Sequence, residues 1–191
     1  MKQIVVGVTG ASGSIYAARL LDWFRSIQKQ QEVEVSLVFS ENAIKVWQWE
    51  LQVPLPEDFP VYGYKDYFAP FASGSSLYEA MVIIPCSMGT VGRLAAGLSD
   101  DLICRAADVM LKERRKLILV PRETPLHAGH LENLLKLARW GAIVLPAMPS
   151  FYGHPRNLEE LVDTIVLRVL DLLGFTLSYS RWGSETPITS V

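Results

Sequence analysis

Short, unbroken apolar runs alternate along the chain with stretches in which apolar residues recur every three or four positions. Ile4–Val8 is a β-branched run of the kind expected for a strand buried on both faces. Ser14–Gln28 carries Ile15, Ala18, Leu21 and Phe24 at helical spacing. Val33–Phe39 predicts a second strand and Asn42–Leu51 a helix. Met81–Ile84 predicts a third strand, closed by Pro85. Cys104–Glu113 is helical, and Leu117–Val120 is a fourth strand stopped by Pro121. His130–Trp140 is a helix, Ala142–Leu145 a fifth strand stopped by Pro146, and Leu158–Leu173 an amphipathic closing helix. Strand alternating with helix implies an α/β fold: a parallel sheet with helices on both faces. Gln52–Ser76, rich in Pro, Tyr, Gly and Ser, is expected to be a long ordered loop. The polar tail from Thr176 to Val191 either packs on a neighbouring subunit or is disordered.

Composition narrows the class without changing this outline. The chain has 191 residues, half hydrophobic and a fifth charged, with a net charge of −2, which fits one domain over 1–191. No basic excess points to nucleic acid. No apolar run reaches the ~18–20 residues of a membrane span, and the apolar stretch at the amino terminus is short for a signal peptide. Two cysteines, Cys86 and Cys104, fit a reducing compartment without a disulfide. A cytoplasmic location is the expectation.

Ligands of open α/β sheets bind beyond the carboxyl ends of the strands. Thr9-Gly10-Ala11-Ser12-Gly13-Ser14 follows the first strand, and Ser40 the second. Pro85-Cys86-Ser87-Met88-Gly89-Thr90 covers the end of the third, Arg122-Glu123-Thr124 follows the fourth, and Met148 to Tyr152 the fifth. The first loop suits an anion, since its glycines admit close approach and a helix begins there. A ligand-free turn is the bland alternative. A dinucleotide fingerprint is a rival, but Ser40 sits where an acidic residue would hold the ribose, with Glu41 one residue late. The lack of a Tyr-x-x-x-Lys pair argues against a short-chain dehydrogenase. Ser87–Thr90 suits phosphate or serves as an ordinary N-cap. Glu123 is a general acid or base if burial raises its pKa, or a plain partner of Arg122. Lys112, Arg114 and Arg115 suit a helix C-terminus, and Arg105 points either way. His127 and His130 stand three apart, but no ligand pattern accompanies them, and no metal is expected.

Together GVTGASG, APFASGSS at 69–76, PCSMGT at 85–90, RAADVMLKERR at 105–115, LVPRETPLHAGHLENLLKLA at 119–138 and LPAMPSFY at 145–152 resemble the UbiX-type flavin prenyltransferases, over Lys2 to about Trp182. The resemblance implies a Rossmann-like or flavodoxin-like three-layer sandwich that binds FMN. It implies transfer of a dimethylallyl group from dimethylallyl phosphate to N5 and C6 of reduced FMN, without metal. The product would serve a partner UbiD-type decarboxylase, and the enzyme would be a homododecamer with shared sites. By this resemblance Gly10, Ala11, Ser12, Ser40, Ser87, Met88, Gly89, Thr90 and Arg122 are FMN contacts, with Ser12 near flavin N5. Lys112, Glu123, Tyr152 and Arg168 surround the prenyl phosphate, and Arg105 and Glu50 are further polar members. Ser12, Glu50, Lys112 and Glu123 are the expected catalytic set. Tyr67 stands where family members often carry Trp, on the aromatic wall over the flavin, which bears on how the allyl chain is held.

The chemistry suits these residue types. Ionising an allylic phosphate calls for cationic and hydroxyl donors on the leaving oxygens, and holding both reactants supplies much of the rate. Two other readings share the fold. One is a non-catalytic FMN-binding accessory subunit of a hydroxyarylate decarboxylase. The other is a peptidyl-cysteine-type flavin decarboxylase, which uses a His near the first helix and an Asn after the third strand. This chain has no His before His127, and Met88-Gly89 precede Thr90 where that Asn would fall.

Overall fold

The computed structural model describes residues 1–179 together with Arg181 and Gly183. The described residues form six strands, β1 (Lys2–Val8), β2 (Val33–Phe39), β3 (Val61–Tyr62), β4 (Ala80–Cys86), β5 (Lys116–Pro121) and β6 (Ile143–Val144), and six helices, α1 (Ser14–Gln28), α2 (Glu41–Leu51), α3 (Met88–Ala95), α4 (Leu102–Lys112), α5 (Ala128–Arg139) and α6 (Leu158–Leu173). Strands and helices alternate, except that no α-helix separates β3 from β4 and both α3 and α4 follow β4. The strands form one sheet in the order β3-β2-β1-β4-β5-β6, and every pairing is parallel. That is the Rossmann order 3-2-1-4-5-6. Without the two-residue edge strand β3 it is the flavodoxin order 2-1-3-4-5, so both names implied by the resemblance apply. β3 lies inside the stretch expected to be loop, as does a single 3-10 turn at Pro70–Ala72.

The two faces of the sheet divide the apolar residues between two cores. Ile4, Val6 and Val8 of β1 face α1 and α6. On α1 the buried positions Ala17, Leu20, Leu21, Phe24 and Ile27 recur at helical spacing. On α6, Val162, Ile165, Val166, Val169, Leu170 and Leu173 do the same. The Phe24 ring meets Phe175 edge-on, with centroids 5.9 Å apart. Val5, Met81 and Ile83 face the other way, toward Val91, Ile103, Ala107 and Met110 of α3 and α4. Burying each such side chain stabilises by about 1.5–3 kcal/mol, against ~0–1 for an exposed pair such as Arg25–Asp58. Apolar burial therefore sets the fold, and the surface charges decorate it.

The described part of the expected tail turns back onto its own subunit. Leu177 packs against the first core, and Tyr179 and Arg181 both bond Asp171 on α6. Residues 180, 182 and 184–191 of that tail lie outside the described residues.

The order of the strands reverses between β1 and β4, and one threonine spans that gap. The Thr9 hydroxyl donates to the Pro85 carbonyl at 2.7 Å and accepts the Ser87 N–H at 2.8 Å, while the Thr9 N–H also reaches Pro85 O at 3.3 Å. Thr9 is 2% exposed. Thr9→Val keeps the shape but strands the Ser87 amide and leaves the Pro85 carbonyl only the longer bond from the residue 9 N–H. It should lower the free energy of unfolding by about 1–3 kcal/mol, read as a lower urea midpoint at unchanged slope.

Candidate functional site

The loop after β1 is built from two backbone requirements. A Cβ on Gly10 would stand 2.6 Å from Asn42 Cβ, so only glycine lets this loop lie against the start of α2. Gly13 has φ +114°, in the left-handed region that glycine occupies without penalty, and from there α1 begins. The start of α1 attracts negative charge, as its sequence suggests, but the anion is the chain's own. The Glu50 carboxylate on α2 accepts the Gly13 N–H at 3.0 Å and the Ser14 N–H at 2.7 Å. Glu50 also takes a hydrogen bond from the Ser12 hydroxyl. Partial burial pushes this carboxyl upward, but the bonds from Ser12, Ser14 and Gly13 together outweigh it and hold Glu50 below the usual carboxylate range. Across the loop, Arg122 Nε donates to the Ser12 carbonyl at 2.8 Å. Gly10, Ser12, Lys45, Val46, Trp49, Glu50 and Arg122 line a cavity of about 640 Å³. Trp49 is 85% exposed on its rim.

A second cavity, of about 470 Å³, opens at the reversal point beside Thr9 and shares Gly10 with the first. The amino ends of two helices frame it. Ser40 caps α2, its hydroxyl accepting the Ala43 N–H at 3.1 Å. Ser87 caps α3, accepting the Thr90 N–H at 3.3 Å and lying 3.0 Å from the Thr90 hydroxyl. Capping uses one lone pair of each hydroxyl, so both keep capacity toward a ligand. First-turn N–H groups of a helix have no intrahelical acceptor, and two such ends aimed at one space favour an anion. A Cβ on Gly89 would meet nothing nearer than 4.0 Å, which leaves the turn open on that side. Glu41, Asn42, Tyr64 and Arg93 complete the wall, Arg93 being its cation and Glu41 its carboxylate. These features fit the phosphorylated end of FMN. The adjoining cavity over Ser12, Val46 and Trp49 fits a flat ring.

The remaining expected residues are divided between places one subunit does not join. Ala11 and Met88 are buried in the two loops already described. Glu123, expected to act if buried, is exposed beside Arg122, and its Oε1 accepts the Thr124 N–H at 3.0 Å. Tyr152 and Arg168 meet in a separate cavity of about 210 Å³ on α6, where Arg168 pairs with Asp171 at 3.0 Å. Tyr67 is 44% exposed, its hydroxyl on Ser99 O. Arg105 donates to Ala72 O at 2.9 Å and pairs with Asp108. Lys112 ends α4 and pairs with Glu113. α4 leads into the start of β5 and Arg122 follows its end, so roughly 17 Å of strand at ~3.3 Å per residue separates Lys112 from Arg122. Ser12, Glu50 and Arg122 are therefore brought together, and Lys112, Tyr152 and Arg168 are not brought to them.

Asn42, Tyr64 and Arg93 of the crevice, and Asp101 behind Arg93, were not singled out from sequence. Arg93 had a faint signal, a lone cation one turn into the helix opened by Ser87. Asp101 had the N-cap signal, since it precedes the apolar-periodic start of α4. The ligand atoms of Asp100, Asp101 and Cys104 lie within 4.8 Å of one another. Yet the buried Asp101 is already paired with Arg93 at 2.9 Å, which leaves this set poorly suited to a cation. His127 and His130 stack with ring centroids 3.6 Å apart, and no third candidate ligand joins them among the described residues. No helix among the described residues is long and apolar enough to cross a membrane.

Comparison with known proteins places this geometry. A model of the Flavoprotein family matches residues 1–170. The chain is 45% identical over 189 residues to the flavin prenyltransferase UbiX of Methanocaldococcus jannaschii, covering 95% of this chain and 99% of that one. Among solved structures it is similar to a dodecameric FMN-dependent UbiX-like decarboxylase from Escherichia coli O157:H7, with TM-score 0.87 and 41% identity, covering 94% and 97% of the two chains. It is equally similar to AnUbiX in complex with FMN and dimethylallyl pyrophosphate, with TM-score 0.87 and 38% identity, covering 95% and 98%.

The Glu50 contacts have a pH signature. A carboxyl whose folded pKa is depressed contributes stability in full above its unfolded value and loses it as pH falls through the folded one. Glu50→Gln should therefore cost about 0.3–1 kcal/mol near neutral pH, the usual worth of a carboxylate at a helix start. The gap to the unsubstituted chain should close as pH drops below the ordinary value of 4.5. Urea midpoints of both chains from neutral to acid pH read the effect, and a gap independent of pH would refute it.

Proposed function

The chain belongs to the Flavoprotein family and, within it, to the UbiX-type flavin prenyltransferases, and from that membership we propose that it joins a dimethylallyl group from dimethylallyl phosphate to reduced FMN. The observation that carries this reading is the pair of cavities joined at Gly10. An elongated mononucleotide lies across them with its phosphate in the crevice of Ser40 and Ser87–Thr90. Its ring system then rests on Gly10, Ala11 and Ser12, beside Arg122. Reduced FMN, when bound, supplies the nucleophilic N5 and C6 that accept the five-carbon unit.

The protein's part is charge and position. The allylic carbon–oxygen bond breaks and phosphate leaves with the electron pair, so cations and hydroxyl donors belong on the leaving oxygens. Lys112, Tyr152, Arg168 and Arg105 supply them, and Tyr67 with Trp49 gives the allyl chain apolar cover. Attachment at N5 releases the N5 proton. Ring closure at C6 adds one proton to the remaining double bond and releases one from C6, so Glu123 and the departing phosphate together would take up one proton net. Glu50 holds Ser12 by its hydroxyl and the loop by its amides, which fixes the edge nearest N5.

Gathering these groups requires more than one subunit, because Lys112 and Arg122 stand at opposite ends of β5. Large apolar side chains left on the surface of the single chain agree with this: Phe68 is 99% exposed, Leu77 84% and Phe151 70%. The assembly proposed is a homododecamer, the state of the similar protein from Escherichia coli O157:H7. The product passes to a UbiD-type decarboxylase in the cytoplasm.

Purified protein given reduced FMN and dimethylallyl phosphate without oxygen should yield a flavin heavier by one five-carbon unit in mass spectrometry. Bound but unmodified FMN would sink the transferase reading and favour an accessory subunit. The same assay with the pyrophosphate ranks the two donors. Sharing of sites has its own test. Glu50→Gln and Lys112→Met, each inactive alone, should regain about a quarter of normal turnover when co-expressed, the fraction of sites that draw both intact halves at random. No recovery would place both residues in one subunit's site, and full activity of either variant alone would remove that residue from catalysis.

A further inference from the structure

Arg93 is the cation among the described residues lining the crevice at the strand-order reversal, and the resemblance gives it no role. Its side chain runs back along α3 toward the helix start, the direction helical side chains favour. There Nη2 donates to the Thr90 hydroxyl at 3.2 Å and Nη1 to the Tyr64 hydroxyl at 3.2 Å. Nη1 also pairs with Asp101 Oδ2 at 2.9 Å. Asp101 is fully buried and itself fixed, accepting the Cys104 N–H at 2.8 Å and the Tyr64 hydroxyl at 2.6 Å. Burial and the neighbouring Asp101 push Tyr64 up to about 12, so its phenol stays protonated, donating to Asp101 and accepting from Arg93. The guanidinium is thus held in one orientation before any ligand arrives.

That fixed charge sits where two helix ends already favour an anion. A guanidinium carries five N–H donors in a planar fork that matches phosphate oxygens, and Asp101, Tyr64 and Thr90 do not exhaust them. Structural neutralisation of Asp101 alone does not call for a side chain that also lines the cavity and holds Thr90 by its hydroxyl. We propose that Arg93 is a specificity-determining residue for the phosphorylated end of the flavin, held ready by Asp101 and Tyr64, and that it makes the site choose FMN over riboflavin. This rests on the reading that places the FMN phosphate in this crevice.

The test compares equilibrium binding of FMN and of riboflavin, followed by quenching of flavin fluorescence, at low and high salt. Arg93→Met should weaken FMN by about ten- to a hundred-fold, the usual loss for a charge-assisted hydrogen bond, and leave riboflavin nearly unchanged. Arg93→Lys should fall between, since it keeps the charge and loses the fork. The salt dependence of FMN binding should flatten in Arg93→Met. Because that change leaves Asp101 buried without its cation, the double variant Arg93→Met/Asp101→Asn is measured beside it and should show the same collapse of the FMN-to-riboflavin ratio. Equal losses for both flavins, or an unchanged ratio in both variants, would overturn the role of Arg93 alone. A parent protein that binds riboflavin as tightly as FMN would overturn the placement of the phosphate as well.

Discussion

The hydroxyl of Thr9 is the point on which the site is hung. At the reversal of strand order, β1 and β4 are neighbours whose following loops diverge to opposite faces of the sheet, and the space between those loops is the crevice. A backbone carbonyl and an amide are left there, and Thr9 satisfies both from a position nearly sealed from water. Its bonds set the separation between the first loop and the turn at Ser87. Both capped helix starts, and the cavity between them, inherit that spacing.

From this point the electrostatics follow a division of labour among three helix ends. α1 has its positive end filled by Glu50, whereas α2 and α3 have serine caps that leave theirs facing space. The first loop is thereby the least favourable of the three helix starts for a further anion. The opposite partial charge, at the edge near Ser12, belongs to a carboxylate held ionised by four hydrogen bonds. The site is polarised along its length before anything binds.

Much of this was legible from residues alone. The apolar runs marked every long strand, and the spacing of Leu21 and Phe24 gave α1 from Ser14 to Gln28, since burial on both sheet faces leaves an unmistakable pattern. β3 was not legible: two residues paired to an edge carry no periodicity, and their extended shape comes from the neighbour Leu37–Val38. Only the start of α3 was foreseen, because MGTVGRLA spends two of eight positions on glycine and its helicity comes from packing. Among site residues, hydroxyls and glycines next to strand ends were recoverable from position, as was Arg122. The bonds of Glu50 were not, because its partners lie thirty-six residues earlier and only the docking of α2 on α1 brings them together. Nor was the distance between Lys112 and Arg122 visible, since ten residues of sequence hide the full length of a strand. Arg93 escaped for a similar reason: its importance lies in Asp101 and Tyr64, which approach it from two other segments.

One consequence of the Glu50 carboxylate concerns what the fold excludes. The strand order is that of dinucleotide-binding sheets, and such sheets take a pyrophosphate at the mouth of their first helix. In this chain that mouth already holds a negative charge, fixed by the Gly13 and Ser14 amides a pyrophosphate would need. The pyrophosphate of a nicotinamide or flavin adenine dinucleotide would meet both occupancy and like-charge repulsion there. A single acidic side chain on the second helix thus closes to a pyrophosphate the place where dinucleotide-binding sheets hold one.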